Sequence, residues 1–192
     1  MSSVESCEYS FNILLTGDVC VGKTSLMFKF VDKPVENVEL GSQGLEMKKI
    51  AIGDTRVRLV VYDTSGVPKL RPLTRGYYGF SVGILLLYSI EDRNSFHGLR
   101  SWLDDFGKSA DPGTVITLLG CKCDSVSERV VSKDDGARLA KEYGINFLEV
   151  SAKTGYDVEA AFRITAISIL ARVLDGTIDR KKVKHSRERA VF

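Results

Sequence analysis

Gly17-Asp18-Val19-Cys20-Val21-Gly22-Lys23-Thr24 is the stretch that decides the fold. It satisfies G-x-x-x-x-G-K-[ST], and each fixed position has a physical job. Gly17 and Gly22 let backbone N–H groups turn inward around phosphate oxygens. Lys23 reaches the β- and γ-phosphates, and the Thr24 hydroxyl ligates Mg²⁺. The flanks agree. Phe11-Asn12-Ile13-Leu14-Leu15-Thr16 reads as a strand, and Thr24-Ser25 through Val31 reads as a helix whose N-terminus faces an anion.

Working outward, apolar runs alternate with amphipathic stretches. Strands are expected at 9–16, 45–52, 57–63, 82–88, 114–120 and 146–150, and helices at 23–31, 68–78, 94–108, 133–143 and 156–174. Val82 to Tyr88 and Val115 to Leu119 are continuous apolar runs, as strands buried on both faces require. Gly53-Asp54 lies between two strand patterns and signals a hairpin. Ser132 to Asp135 opens the fourth helix as a variant capping box. Val158, Phe162, Thr165, Ile169 and Val173 form one stripe on the last. One antiparallel pair inside a β–α alternation predicts an α/β, three-layer phosphate-loop NTPase fold. Its sheet has six strands, mostly parallel with one antiparallel, and it carries five helices. The domain is expected at 9–174. Residues 175–192 lose apolar periodicity and carry Arg180, Lys181, Lys182, Lys184, Arg187 and Arg189. They read as a basic, solvated and disordered tail, with weak contact to anionic lipid as the alternative.

The 192 residues suit one domain, and 44% apolar with 27% charged content is ordinary for a globular protein. A net charge of +2 supplies no field that recruits nucleic acid or membrane. Cys7, Cys20, Cys121 and Cys123 form neither a disulfide framework nor a zinc spacing, so a reducing, cytoplasmic compartment is expected. No signal peptide is evident, and no apolar stretch approaches the ~20 residues that span a bilayer.

Three further tripeptides and tetrapeptides end strands. Asp63-Thr64-Ser65-Gly66 places a carboxylate that holds Mg²⁺ through water and a Gly66 N–H that meets a γ-phosphate. Cys121-Lys122-Cys123-Asp124 places a carboxylate that accepts two hydrogen bonds from the guanine edge, which adenine cannot donate, with the Lys122 stem covering the ring. Ser151-Ala152-Lys153 offers a backbone N–H to guanine O6. All four motifs fall in order at the sheet edge where open α/β sheets bind ligands.

With these motifs, and with Arg58 to Thr64, Lys69 to Thr74, Tyr77-Tyr78 and Leu86 to Ile90, the chain resembles the Rab branch of the Ras-like small GTPases over about residues 9–172. The resemblance implies binding of GDP and GTP with Mg²⁺. It implies switch loops near 33–46 and 65–80, and effectors that read the GTP form on membranes. Met47, Tyr62 and Tyr77 fall where an effector platform is expected, with a mere cover for the sheet edge as the alternative.

Several positions depart from that pattern. Val19 and Cys20 replace glycine or small residues, and Val19 is expected to project toward the γ-phosphate. Val67 and Pro68 follow Gly66, so the water-orienting glutamine is missing. Cys121 replaces an asparagine that braces the phosphate loop, and Val35 replaces an aromatic residue that stacks on the base. Ser42 is assigned as the Mg²⁺ ligand of the first switch. With no cysteine after Cys123, attachment by C-terminal prenylation is not expected, and membrane contact is weak or indirect.

Two readings remain open. One is a guanine-nucleotide switch of Rab type in membrane traffic or signalling, a GTPase made slow at Val67 and Val19, with Lys23 and Gly66 retained. The other is a pseudo-GTPase interaction module with static or absent nucleotide. An ATP-handling protein is disfavoured by Asp124 and by Ser151-Ala152-Lys153.

Overall fold

Six strands run through the computed structural model, which describes residues 7–34 and 44–183. They are β1 (Tyr9–Gly17), β2 (Leu45–Ile52), β3 (Thr55–Asp63), β4 (Gly83–Ser89), β5 (Val115–Cys121) and β6 (Asn146–Val150). They form one sheet in the order β2-β3-β1-β4-β5-β6. β2 and β3 pair antiparallel across Gly53-Asp54, with Ile52 opposite Thr55. Every other pairing is parallel. The mixed α/β sheet expected from the sequence is the sheet found.

Helices cover both faces: α1 (Lys23–Phe30), α2 (Arg71–Arg75), α3 (Arg93–His97), α4 (Leu99–Ser109), α5 (Lys133–Tyr143), α6 (Val158–Leu174) and α7 (Arg180–Val183). The five expected helices are thus divided differently. The second is a 3-10 turn at Pro68–Leu70, then α2, then another 3-10 turn at Tyr78–Phe80. Pro68 and Pro72 explain the break, since neither donates a backbone hydrogen bond. The third is split at Gly98 into α3 and α4. α3 begins where the Asp92 carboxylate accepts from the Asn94 N–H. α5 begins with the full Ser132–Asp135 capping box and ends at Gly144 in the left-handed region.

β4 is buried along its whole length. On one face α1 and α6 pack over it, with Phe30 and Phe162 stacked at 3.7 Å between ring centroids. On the other face Leu99, Trp102 and Phe106 of α4 meet Leu139 of α5. The five residues of the α6 stripe are all buried. Beyond α6 the chain stays packed. Ile178 and Val183 are buried in the α1–α6 core, and α7 lies against β1. The first nine residues of the expected tail, 175–183, are therefore not a solvated coil. Their apolar anchors are two residues five apart among charged ones, which leaves no periodic signal. Lys184, Arg187 and Arg189 lie outside the described residues.

The parallel register carries function. Leu15 pairs with Asp63, Gly17 with Leu87, Ser89 with Cys121, and Cys121 with Val150. The carboxyl ends of β1, β3, β4, β5 and β6 thus open onto one edge.

Candidate functional site

The loop between β1 and α1 wraps the start of the helix. Gly17 has φ 134°, and a Cβ there would sit 2.2 Å from the Leu87 carbonyl oxygen, so only glycine fits. Gly22, at φ 106°, leads directly into α1. Cys20 takes a left-handed φ of 61° without being glycine, and both Cys20 and Val19 are exposed. Val21 is buried beneath the loop.

Lys23 is buried, and its Nζ donates to the Gly17 carbonyl at 3.0 Å and the Asp18 carbonyl at 2.6 Å. Burial pulls its pKa below the usual lysine value, opposed by Asp63 and Asp18. Thr24 Oγ1 donates to Asp63 Oδ2. The other carboxylate oxygen, Asp63 Oδ1, is buried and has no partner among the described residues. Burial raises the Asp63 pKa despite the Thr24 bond and the Lys23 charge. A buried oxygen with no donor is costly by itself. Beside a hydroxyl and an ammonium, it fits a hydrated divalent cation, which brings the charge and donors the carboxylate lacks. Thr24 and Asp63 would hold Mg²⁺ there. Ser42, assigned as a third ligand, lies outside the described residues, as does Val35.

Gly66 is pressed onto the phosphate loop. A Cβ there would come 2.3 Å from the Asp18 carbonyl carbon and 2.4 Å from the Val19 nitrogen. The loop and the β3 exit are thus in direct contact, and Thr64 Oγ1 fixes the exit by donating to the Leu15 carbonyl at 2.8 Å. Val67 N–H donates to Ser65 Oγ at 3.3 Å, so the residue after Gly66 is turned by its own local bond. Its side chain brings no group that orients water.

A cavity of about 250 Å³ opens beside the loop. Gly22, Ser25, Cys121, Lys122, Asp124, Ala152 and Lys153 line it, as do Val21, Leu26, Ser125 and Val150. Asp124 Oδ1 accepts from the buried Ser151 Oγ at 2.6 Å, and Lys153 Nζ stands 3.8 Å from Oδ2. The Ser151 bond holds the Asp124 carboxyl below the usual carboxylate range. An ionised carboxylate at a cavity wall accepts two N–H bonds from one planar edge.

Cys121 is buried, and burial pushes its thiol up to about 12, so it is neutral. Among the described residues its Sγ has one hydrogen-bond contact, at 3.9 Å to the Leu119 carbonyl. Lys122 adopts φ 63° and its Nζ donates to Glu91 Oε2 at 2.8 Å. The sequence reading did not single out Glu91. It also missed Trp102, whose indole N–H donates to Asp18 Oδ1 at 3.0 Å. Arg71 lies 3.9 Å over that indole ring and pairs with Asp105 at 2.9 Å. These pairs join positions far apart in the chain, so no spacing motif announces them.

A model of the Ras family matches residues 12–171. The chain belongs to the Ras family. Members are guanine-nucleotide-binding switches and GTPases that use GTP, GDP and Mg²⁺, and they meet effectors and regulators. In this Ras-family chain the surface between β2 and α2 carries Met47, exposed, with Tyr62 and Tyr77 half-buried. Tyr62, Tyr77 and Phe80 form an aromatic cluster with centroids 5.3–5.8 Å apart. No described helix is long and apolar enough to cross a membrane.

Proposed function

We propose that this Ras-family protein is a Rab-type switch that binds guanine nucleotide at the cleft between the phosphate loop and Asp124, hydrolyses GTP slowly, and acts in membrane traffic or signalling at cytoplasmic membrane surfaces. The observation that carries the reading is the ionised Asp124, held by Ser151 at the wall of a cavity that begins at Gly22. Adenine offers that carboxylate no matching pair of donors.

The parts divide the work. The loop N–H groups and Lys23 neutralise phosphate charge, and Thr24 with Asp63 would hold Mg²⁺, which supplies further charge neutralisation when bound. Gly66, which lies against Asp18 and Val19 of the loop, is assigned the N–H that meets a terminal phosphate. Phosphoryl transfer here is positioning plus charge stabilisation. The positioning half is weak, because Val67 has nothing to hold an attacking water. Met47, Tyr62 and Tyr77, with Phe80 beside them, form the surface assigned to effectors. The adaptable Met47 side chain suits a contact that repacks.

A pseudo-GTPase reading is favoured by one observation, the neutral Cys121 thiol that makes no strong bond behind the loop. Identifying nucleotide in the purified protein separates the two. GDP or GTP supports the switch, and empty protein that takes up neither supports the module. Single-turnover GTP hydrolysis tests the slow step. Unaided members turn over on the order of 10⁻⁴ s⁻¹. The wild type is expected below that, and Val67→Gln should raise the rate about 10–100-fold, or ~1.4–2.7 kcal/mol of barrier. An ordinary rate with no gain in the variant would remove the slow-hydrolysis assignment.

A further inference from the structure

Resting on the guanine-nucleotide reading above, we propose that Glu91 is a positioning residue for the nucleobase, which through its ion pair with Lys122 holds the 121–124 turn in place where Cys121 supplies no brace. Lys122 is the residue whose stem walls the cavity, and it sits in a left-handed backbone conformation that other residues rarely adopt. A turn of that kind persists only when its surroundings over-determine it. Behind it, the Cys121 thiol offers one weak contact to its own strand. In front, Ser151 holds Asp124. Backbone bonds close the turn, with the Ser125 N–H donating to the Lys122 carbonyl at 2.9 Å and the Cys123 N–H to the Val150 carbonyl at 3.2 Å, and what fixes the Lys122 side chain is the 2.8 Å bond from its Nζ to Glu91 Oε2.

Glu91 is a firm anchor. The Ile90 N–H donates to the Cys121 carbonyl at 3.1 Å, tying the end of β4 to the base of the turn. The Ile90 carbonyl accepts from both Val130 and Val131 N–H groups, at 2.9 and 3.0 Å. The Glu91 N–H itself donates to Ser89 Oγ at 3.3 Å. Hydrogen bonds from Lys122 and Ser125 keep the Glu91 carboxyl below its usual range, so it is charged at neutral pH. Asp124 is the other carboxylate that acts on Glu91, and it has its own cation in Lys153, at 3.8 Å.

The pair is partly exposed, so its contribution is modest and screened by salt. Its effect acts on Lys122, and so on the base, with no direct contact to nucleotide. The test is the release rate of fluorescent GDP from the wild type, Glu91→Gln, Lys122→Met and the double variant, at 0.05 and 0.5 M NaCl. Glu91→Gln is expected to release GDP about 3–10-fold faster at low salt, with the gap narrowing at high salt and thermal stability held within a few degrees. Glu91→Asp should fall between. The double variant should release no faster than Lys122→Met alone, because Glu91 has nothing left to act on. Release from Glu91→Gln at the wild-type rate overturns the proposal, and so does a double variant whose effect is the product of the two singles. A wild type that binds no GDP overturns the guanine reading itself, and this inference with it.

Discussion

At the phosphate end of the cleft, Lys23 is buried with two carbonyl partners, Thr24 is bonded to Asp63, and Gly66 touches the loop backbone. At the base end, a neutral thiol stands behind the turn and an ion pair with a partly exposed glutamate stands beside it. The two ends are built from opposite materials. The first is a set of close contacts in which Gly17 and Gly66 leave no room for a Cβ. The second keeps Asp124, the recognition group proposed above, on a support made of weaker interactions. On the proposed reading, loosening the second while keeping the first should change how long nucleotide stays more than whether phosphate binds.

The largest break in that comparison comes at Asp124. Asp124→Ala removes both acceptors at the cavity wall and frees the Ser151 hydroxyl in a buried place. Two hydrogen bonds to a charged group amount to about 3–6 kcal/mol. Guanine preference should therefore fall by about 100-fold or more, read by competition of GTP and ATP against labelled GDP. Retained preference would show that base recognition lies elsewhere.

Asp63 probes the other end, with a smaller loss and a sign that can be worked out. Its folded pKa is raised, so the folded chain binds that proton more tightly than the unfolded chain does. The nucleotide-free protein therefore gains stability from this group as pH falls through the raised value toward the ordinary aspartate value of 3.8. Mg²⁺ binding needs the ionised form and weakens over the same window. Asp124 and Glu91, whose pKa values are lowered, act in the opposite direction, so the difference between wild type and Asp63→Asn isolates the term. Asp63→Asn should raise the melting temperature of nucleotide-free protein by a few degrees, on the order of 1 kcal/mol, and flatten its acid dependence. It should also cost about 10–100-fold in Mg²⁺-dependent GDP affinity, roughly 1.4–2.7 kcal/mol. A variant that is destabilised without nucleotide would contradict the strained carboxylate.

Cys121→Asn sharpens the contrast from the weak side. An amide behind the loop supplies a donor and an acceptor where the thiol supplies neither in strength. One recovered hydrogen bond is worth about 0.5–1.5 kcal/mol. GDP release should slow about 2–10-fold, and the effect of Glu91→Gln should shrink in that background. Faster release in Cys121→Asn would mean that the site has repacked around sulfur.

Much of this architecture is readable from the chain because its signals are local. β4 and β5 are continuous apolar runs, and the β2–β3 hairpin is marked by Gly53-Asp54. β3 begins at Thr55, two residues earlier than its apolar pattern, because Thr55 and Arg56 pair opposite Ile52 and Ala51 whatever their polarity. The strand ends that carry Asp63 and Cys121 to Asp124 are readable by spacing from the phosphate loop. Contacts between distant polar residues are not. Glu91 meets Lys122 across 31 positions and Trp102 meets Asp18 across 84, and neither pair has a period or a motif. The packing of Ile178 and Val183 is equally silent, since two anchors among charges make no amphipathic pattern.

An effect as small as that of Cys121→Asn joins the phosphate loop to the segment after Gly66. Trp102 donates to Asp18 through its ring nitrogen and carries Arg71 on its face. The carboxylate of Asp18 belongs to the loop proposed to bind phosphate, where an unpartnered negative charge would oppose the ligand. Trp102→Phe keeps an aromatic face for Arg71 but removes the donor that occupies that carboxylate. One hydrogen bond to a charged group, partly replaced by water, sets the loss at about 0.5–1.5 kcal/mol. GDP affinity should fall about 2–10-fold, while the Arg71–Asp105 pair still seats α2 on α4. Asp18→Asn in the Trp102→Phe background removes the charge as well and should recover most of the affinity. Recovery would assign the indole N–H the role of holding an anion in place. Loss in both variants, with a matching drop in melting temperature, would make Trp102 a packing residue and leave the loop to hold itself.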